Sequence, residues 1–146
     1  MTRVDRLAAI RRRMAEEQLD RIVALHDGAH FIETPNPVMV LAGFKSLGPA
    51  AVVLDRDGGM ALIVTPEWDA MRAAEDCPDA RVIGATDAVD AIIATGGSGT
   101  IGVAGLPFAP WHITKRINAA LPGAKPADKL IYDAANTKTA AEIADA

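Results

Sequence analysis

The first residues of the chain place apolar side chains at the spacing of a helix. Val4, Leu7, Ile10 and Met14 recur every three or four residues, whereas arginines and glutamates fill the positions between them. Apolar residues at this spacing share one helix face, so the pattern predicts an amphipathic helix that packs against a core. The run Arg21–Leu25, which is rich in strand-forming residues, predicts a strand directly after this helix.

Three apolar runs of strand length follow a polar, proline-bearing loop predicted over residues 26–37. They are Met39–Phe44, Ala51–Leu54 and Met60–Val64, and the last two flank the turn sequence Asp55–Gly59. An Asp-Gly turn between two such runs predicts a β-hairpin. The runs are almost continuously hydrophobic, which indicates a sheet covered on both faces. The pattern therefore predicts an α/β fold in three layers, with helices on both sides of the sheet.

The second half of the chain alternates predicted helices with predicted strands. Residues that favour helix starts stand at Pro66, Asp87 and Pro110. Three helices are predicted: one from 66 to about 75 that carries Trp68, Met71 and Ala74, one from 87 to the glycine-rich stretch 96–99, and one from 110 to 121. Strands are predicted over 81–83 and 101–104. A strand or extended link is predicted over 129–132.

The last residues of the chain carry the start signal of one more helix. Thr139-Ala140-Ala141-Glu142 has the capping-box spacing, in which the threonine hydroxyl accepts from a backbone N–H and the glutamate reaches back to the cap. Only four residues follow Glu142, and so short a helix cannot offset its nucleation cost in water. We therefore expect the chain to be a piece of a longer protein.

The composition is that of a folded domain without excess positive charge. Half of the 146 residues are hydrophobic, and the net charge is -4 at pH 7. A domain of this size can bury roughly 70% of its unfolded surface, and the acidic balance argues against a nucleic-acid partner. No apolar run has membrane-spanning length and no signal peptide is apparent, so we expect a cytoplasmic protein with no membrane partner. The single cysteine, Cys77, excludes an internal disulfide and a multi-cysteine zinc site.

One glycine motif matches a nucleotide-binding pattern in the wrong context. The segment Gly97–Gly102 satisfies G-x-G-x-x-G, which in a dinucleotide site places a pyrophosphate at a helix N-terminus. That motif requires a strand before it and a helix after it, whereas here a predicted helix precedes it and a predicted strand follows. A helix-to-strand turn is the favoured interpretation. A small nucleotide-binding module that uses the Gly97–Gly102 loop is the alternative function.

The remaining polar residues form no recognisable active site. His26 and His30 stand four residues apart, but Gly28 between them weakens a helix, and the H-E-x-x-H zinc motif is absent. Asp55 and Asp57 are typical of hairpin turns. The sequence shows no Ser-His-Asp set, nucleophile elbow or Walker loop. From the residues alone, we predict no catalytic site and no metal site in this chain.

The order of the elements, together with two local motifs, resembles a known family. One motif is Asn36–Phe44, followed by a strand, an Asp-Gly turn and a strand, and the other is the closing segment Thr137–Ile143. They resemble the N-terminal domain of the creatinase, prolidase and aminopeptidase P group, whose linker has the form Arg-x-x-Lys-[Ser/Thr]-x-x-Glu-Ile. The resemblance implies a ribonuclease-H-like mixed sheet over residues 1–134, with 135–146 as the linker and the start of a missing catalytic domain.

The resemblance also implies what the longer protein does. Its catalytic domain would have the pita-bread fold, lie beyond residue 146 and cleave a C–N bond, as in an Xaa-Pro peptide or a creatine-like substrate. The peptidases of the group hold a pair of divalent metal ions on aspartate, histidine and glutamate ligands, whereas creatinase-type members need no metal. The present chain is then expected to hold no cofactor and to be inactive alone. A self-sufficient small enzyme or binding protein is a third hypothesis.

In the resembled enzymes this domain contributes to a homodimer and to the rim of the neighbouring subunit's active site. By this resemblance, Phe44, Lys45 and Ser46 are candidate substrate-gating residues, with Lys45 able to meet a substrate carboxylate as a point charge. The residues themselves leave open that Phe44 belongs to the core and that Lys45 is a solvated loop residue. Trp68 could equally pack on the sheet or face a partner.

Overall fold

The fold is built around a mixed β-sheet. The computed structural model describes residues 2–28, 35–137 and 143–144. Within these ranges the sheet has six strands in the order β4-β3-β2-β1-β5-β6. The strands are β1 (Arg21–His26), β2 (Ala50–Asp55), β3 (Met60–Val64), β4 (Arg81–Gly84), β5 (Ile101–Ala104) and β6 (Lys125–Pro126).

The described ranges also contain six α-helices and two short 3-10 turns. The helices are α1 (Arg3–Glu16), α2 (Pro37–Ala42), α3 (Ala70–Asp76), α4 (Ala88–Ala94), α5 (Trp111–Ala120) and α6 (Asp128–Ala135). The 3-10 turns are Glu67–Asp69, directly before α3, and Leu106–Phe108, before α5. None of the helices in the part of the chain that the structure describes is long and apolar enough to cross a membrane.

The pairing of the strands confirms the predicted hairpin. Strand β2 runs antiparallel to both β1 and β3, and the backbone N–H of Asp55 donates to the carbonyl of Gly59 across the turn. The other pairs, β1 with β5, β3 with β4 and β5 with β6, are parallel. Because parallel neighbours need crossover connections, helices must cover the faces of this sheet.

The sheet side chains form two cores, one on each face. Successive strand residues alternate between the two cores, as the pleat requires. One core contains Ile22, Ala24, Val52, Leu54, Leu62 and Val64, and the other contains Val23, Leu25, Ala51, Val53, Ala61 and Ile63. Helices α1, α2, α3 and α6 pack on the first core, and α4 and α5 pack on the second. The predicted three-layer α/β architecture is confirmed.

The strand predicted over Met39–Phe44 is wrong, because most of this segment belongs to helix α2. The side chain of Asn36 caps the helix by accepting from the backbone N–H groups of Val38 and Met39, at 2.9 and 3.3 Å. Pro37 suits the first helical turn, and Gly43 ends the helix in the left-handed conformation at φ 69°. A short apolar run cannot be assigned to strand or helix by its hydrophobicity alone.

The strand or extended link predicted over 129–132 is also wrong, since these residues form part of helix α6. Leu130, Ile131 and Ala135 are buried and lie on the helix face that packs on the first core. The last strand is the shorter β6, Lys125–Pro126, just before this helix. The capping box predicted at Thr139–Glu142 lies outside the described residues.

Candidate functional site

The three residues predicted to gate substrate lie in the loop between α2 and β2, residues 43–49. Phe44 is 1% exposed and belongs to the core on the α2 face. The Ser46 side chain is also buried, whereas Lys45 is exposed. Among these three residues, only Lys45 therefore presents its side chain to solvent in this arrangement.

The far end of this 43–49 loop is tied to the end of strand β3. The backbone N–H of Gly48 donates to the carbonyl of Thr65 at 3.0 Å, and the Thr65 hydroxyl donates to the carbonyl of Pro49. The Ser46 hydroxyl donates to the carbonyl of Gly48 at 2.6 Å. The Ser46 hydroxyl proton is therefore used in a hydrogen bond within the loop.

The near end of the loop contacts an ion pair whose carboxylate is buried. The Asp69 carboxylate is 3% exposed and accepts two hydrogen bonds from Arg72, from Nε at 2.9 Å and from Nη2 at 2.7 Å. The same Nη2 donates to the carbonyl of Lys45 at 3.0 Å. The guanidinium carbon of Arg72 lies 4.4 Å from the centre of the Phe44 ring, which is cation–π distance. One arginine therefore joins helix α3 to the loop that carries Lys45.

The ion pair shifts the titration of both its members. The hydrogen bonds from Arg72 lower the pKa of Asp69 from its ordinary value, against the opposing effect of burial. The hydrogen bonds to Asp69 raise the pKa of Arg72 in turn. The pair therefore stays ionised at neutral pH.

Titration with acid tests this ion pair. Because the folded-state pKa of Asp69 lies below its ordinary value of 3.8, the ionised carboxylate stabilises the fold above that pH, and the contribution is lost as the pH falls through the lowered pKa. We expect the free energy of unfolding, measured by urea titration, to fall more steeply as the pH is lowered below 3.8 in the parent chain than in Asp69→Asn. Asp57→Asn, which alters an 84% exposed carboxylate, should keep the parent's steepness. Equal steepness in Asp69→Asn would contradict the expectation.

Exposed apolar side chains lie on the elements that hold this loop. Trp68 is 72% exposed and Met71 78% exposed, and Leu47 in the loop itself is also exposed. The buried positions around α3 are instead Asp69, Ala73 and Cys77. Trp68 consequently faces outward and does not pack on the sheet.

The glycine-rich segment is a turn that the chain's own side chains fill. Helix α4 precedes it and strand β5 follows it, which is the reverse of the order that nucleotide binding requires. A carboxylate oxygen of Asp20 accepts from the backbone N–H of Thr100 at 2.7 Å. The guanidinium of Arg21 donates to the carbonyl of Gly96. The interior of the loop therefore already holds an internal carboxylate, and the Gly97–Gly102 nucleotide site has no support.

The other candidate residues do not assemble into a reactive cluster. His26 ends β1, where its Nδ1 accepts from the N–H of Gly28, and His112 lies exposed on α5. His30 lies outside the described residues. The Cys77 thiol is buried, donates to the carbonyl of Ala42 at 3.2 Å, and has its pKa raised by burial. No three histidine, cysteine, aspartate or glutamate side chains come together as a possible metal site among residues 2–28, 35–137 and 143–144.

The Asp69–Arg72 pair is a contact of the candidate site that the sequence pattern did not predict. The spacing of three residues on a helix is a recognisable signal for an ion pair. The contact with Lys45 joins residues 27 positions apart and has no local signal.

Comparison with protein families gives one match that covers most of the chain. Residues 6–134 match the model of the creatinase/prolidase N-terminal domain. No curated protein sequence matches the chain significantly.

Comparison with solved structures finds the same fold in several proteins of low identity. The N-terminal domain of the cytoplasmic peptidase PepQ from Mycobacterium tuberculosis H37Rv aligns with a TM-score of 0.70 and 16% identity over 89% of this chain and 98% of that one. The Xaa-Pro dipeptidase from Bacillus anthracis aligns with a TM-score of 0.76 and 14% identity over 98% of this chain and 38% of that one. The prolidase from Pyrococcus furiosus aligns with a TM-score of 0.70 and 21% identity over 94% of this chain and 40% of that one. The chain thus spans about two fifths of these two longer structures.

Proposed function

The chain belongs to the creatinase/prolidase N-terminal domain family, and we propose that it is the non-catalytic N-terminal domain of a hydrolase that cleaves a C–N bond. The substrate of the whole protein is an Xaa-Pro peptide or a creatine-like molecule. Residues 1–134 form the domain, and residues 135–146 form the linker and the start of the catalytic domain. On its own, the 146-residue chain is inactive.

The observation that carries this proposal is the family match over residues 6–134. The coverage of the similar structures supports it, because the chain accounts for 98% of an isolated N-terminal domain but only 38% of an Xaa-Pro dipeptidase. Such coverage favours a catalytic domain elsewhere in the longer protein. A cytoplasmic location is proposed because one of the similar structures is described as a cytoplasmic peptidase.

A divalent metal pair is proposed for the whole protein only if it is one of the peptidases. The described residues of this chain do not fit such a pair, since they offer no group of three candidate ligands. A pair of metal ions held by aspartate, histidine and glutamate therefore belongs, in this proposal, to the catalytic domain. No step of the reaction is assigned to residues of this chain.

The role proposed for this domain is to form a homodimer and to shape substrate access. Exposed tryptophan and methionine side chains are favourable at protein interfaces, which supports a partner near Trp68 and Met71. Lys45 stands on the adjoining 43–49 loop as an exposed cation that can meet a substrate carboxylate. Phe44 and Ser46 contribute to this role by holding the loop, because their side chains are buried.

Kinetics of the protein that includes the catalytic domain test the proposal. In Lys45→Met, loss of a charge-assisted hydrogen bond of about 1.5–3 kcal/mol to an Xaa-Pro dipeptide should raise KM roughly tenfold or more with little change in kcat. Lys115→Met removes another exposed lysine, on α5, and should leave both constants unchanged. The 146-residue chain, chelated and repurified, should hydrolyse neither the dipeptide nor creatine. Hydrolysis by that chain would refute the assignment as non-catalytic, and an unchanged KM in Lys45→Met would refute the role in access.

A further inference from the structure

The loop that carries Lys45 is held by a side chain from another element. We infer that Arg72 is a positioning residue that fixes the backbone of Lys45 and thereby the direction in which the Lys45 side chain leaves the domain. The inference rests on the proposed function only for the role of Lys45, which is to bind substrate. The Arg72 clamp, defined as the contacts of Arg72 with Asp69, Lys45 and Phe44, stands on geometry alone.

The clamp uses properties that only a guanidinium has. Arg72 sends Nε and Nη2 to the two oxygens of Asp69, at 2.9 and 2.7 Å, and Nη2 also donates to the Lys45 carbonyl at 3.0 Å. Its guanidinium carbon lies over the Phe44 ring, 4.4 Å from the ring centre. A planar fork of five N–H donors can serve all these contacts at once, whereas an ammonium is a point charge without a fork or a flat face.

The anchor of the clamp is a buried residue. Asp69 is buried and ends the 3-10 turn that precedes α3, where its backbone N–H donates to the carbonyl of Pro66 at 3.0 Å. A buried carboxylate left without its partner is costly, so the fold strongly favours the conformer of Arg72 that serves Asp69. That conformer is the one that places Nη2 at the Lys45 carbonyl.

The Arg72 clamp and the hydrogen bond between Gly48 and Thr65, at the end of β3, together hold the loop at two points. The carbonyl of Lys45 and the N–H of Ser46 share one peptide plane that begins at the Lys45 Cα, so the bond from Arg72 restrains the backbone next to the Lys45 side chain. Three residues later, the N–H of Gly48 is bonded to Thr65. Restraint of the loop backbone at these two points lowers the entropy lost when the Lys45 side chain binds a ligand.

Backbone relaxation of the isotopically labelled 146-residue chain tests the clamp without substrate. In Arg72→Met, the order parameters at Lys45 and Ser46 should fall from about 0.85, typical of a rigid backbone, to below about 0.6. The carbonyl carbon resonance of Lys45 should shift as it loses its donor. Arg116→Met is the matched control, because Arg116 also bridges carboxylates, of Asp87 and Asp90 at 2.8 and 2.7 Å, at a similar side-chain exposure (39% against 43%). Arg116→Met should leave the order parameters of the 43–49 loop unchanged.

Arg72→Lys separates positioning from stability and covers the case in which Arg72→Met fails to fold. A lysine can neutralise Asp69 and should restore much of the stability, but it cannot also hold the Lys45 carbonyl, so the order parameters should stay low. Unchanged order parameters at Lys45 and Ser46 in Arg72→Lys would overturn the clamp. Loosening of the loop in Arg72→Lys while Lys45→Met leaves KM unchanged would refute the proposed role in substrate access and leave the clamp intact.

Discussion

Replacing Phe44 by alanine is expected to lower the free energy of unfolding by about 3–5 kcal/mol. The ring is 1% exposed and is among the largest fully buried side chains of the described residues. Its removal leaves a cavity in the core between the sheet and helices α1, α2, α3 and α6. It also removes the face on which the guanidinium of Arg72 lies, a contact worth about 0.5–1 kcal/mol in addition.

Chemical denaturation followed by circular dichroism measures this loss, with Trp111→Ala as the control. Trp111 is a larger aromatic residue but is 73% exposed, so its replacement should change the stability by about 0.5 kcal/mol or less. Phe44→Leu keeps most of the volume and should cost only about 1–2 kcal/mol, which gives a readable value if the alanine variant does not fold. A cost for Phe44→Ala no greater than that for Trp111→Ala would show that the ring is not a core residue.

Gly105→Ala is expected to lower the free energy of unfolding by about 2–5 kcal/mol, because the new side chain meets both an unfavourable backbone conformation and a neighbouring strand. Gly105 follows strand β5 with φ 103°, a conformation that favours glycine, and its N–H donates to a carboxylate oxygen of Asp128 at 2.8 Å. A Cβ at this position would collide with the carbonyl oxygen of Leu25 on the neighbouring strand β1. Backbone strain and steric overlap therefore add, and a carbonyl within a paired strand cannot move aside.

Two other glycines separate these effects in the same denaturation experiment. Gly96 also has a positive φ, at 63°, but a Cβ there would meet no atom within 4 Å, so Gly96→Ala should show the backbone strain alone, about 1 kcal/mol. Gly123 has neither a positive φ nor a neighbour within 4 Å, and Gly123→Ala should be neutral within about 0.5 kcal/mol. Equal costs at Gly105 and Gly96 would show that the overlap with Leu25 contributes nothing.

The elements predicted correctly are those whose signals are local. Helix α1 shows its apolar face at three- and four-residue spacing, and the residues named for that face, except the exposed Val4, are buried. The β2–β3 hairpin is defined by two apolar runs around an Asp-Gly turn. Asp87 caps α4 as predicted by accepting from the N–H of Asp90 at 2.8 Å. Each of these signals acts within a few residues, where chain connectivity already brings the partners together.

The two wrong assignments fall where local signals are ambiguous. Residues 38–42 are continuously apolar, which suits a buried strand and a buried helix equally well. The cap at Asn36 and the left-handed Gly43 decide for a helix, and both residue types are recognised signals of helix ends. The run at 129–132 covers only four residues, which is too few to show a helical periodicity.

The α/β class, the covering of the sheet on both faces and the resemblance to the family that residues 6–134 match could all be predicted from the amino-acid sequence. These properties follow from hydrophobic periodicity, capping residues and turn residues, whose physics is local. Which side chains reach solvent at the candidate site depends on the folded chain. The fold buries Phe44 and Ser46, exposes Lys45 and Trp68, and brings Arg72 to the Lys45 carbonyl. Burial and hydrogen bonding between residues far apart in the chain depend on how the elements pack, which no local pattern encodes.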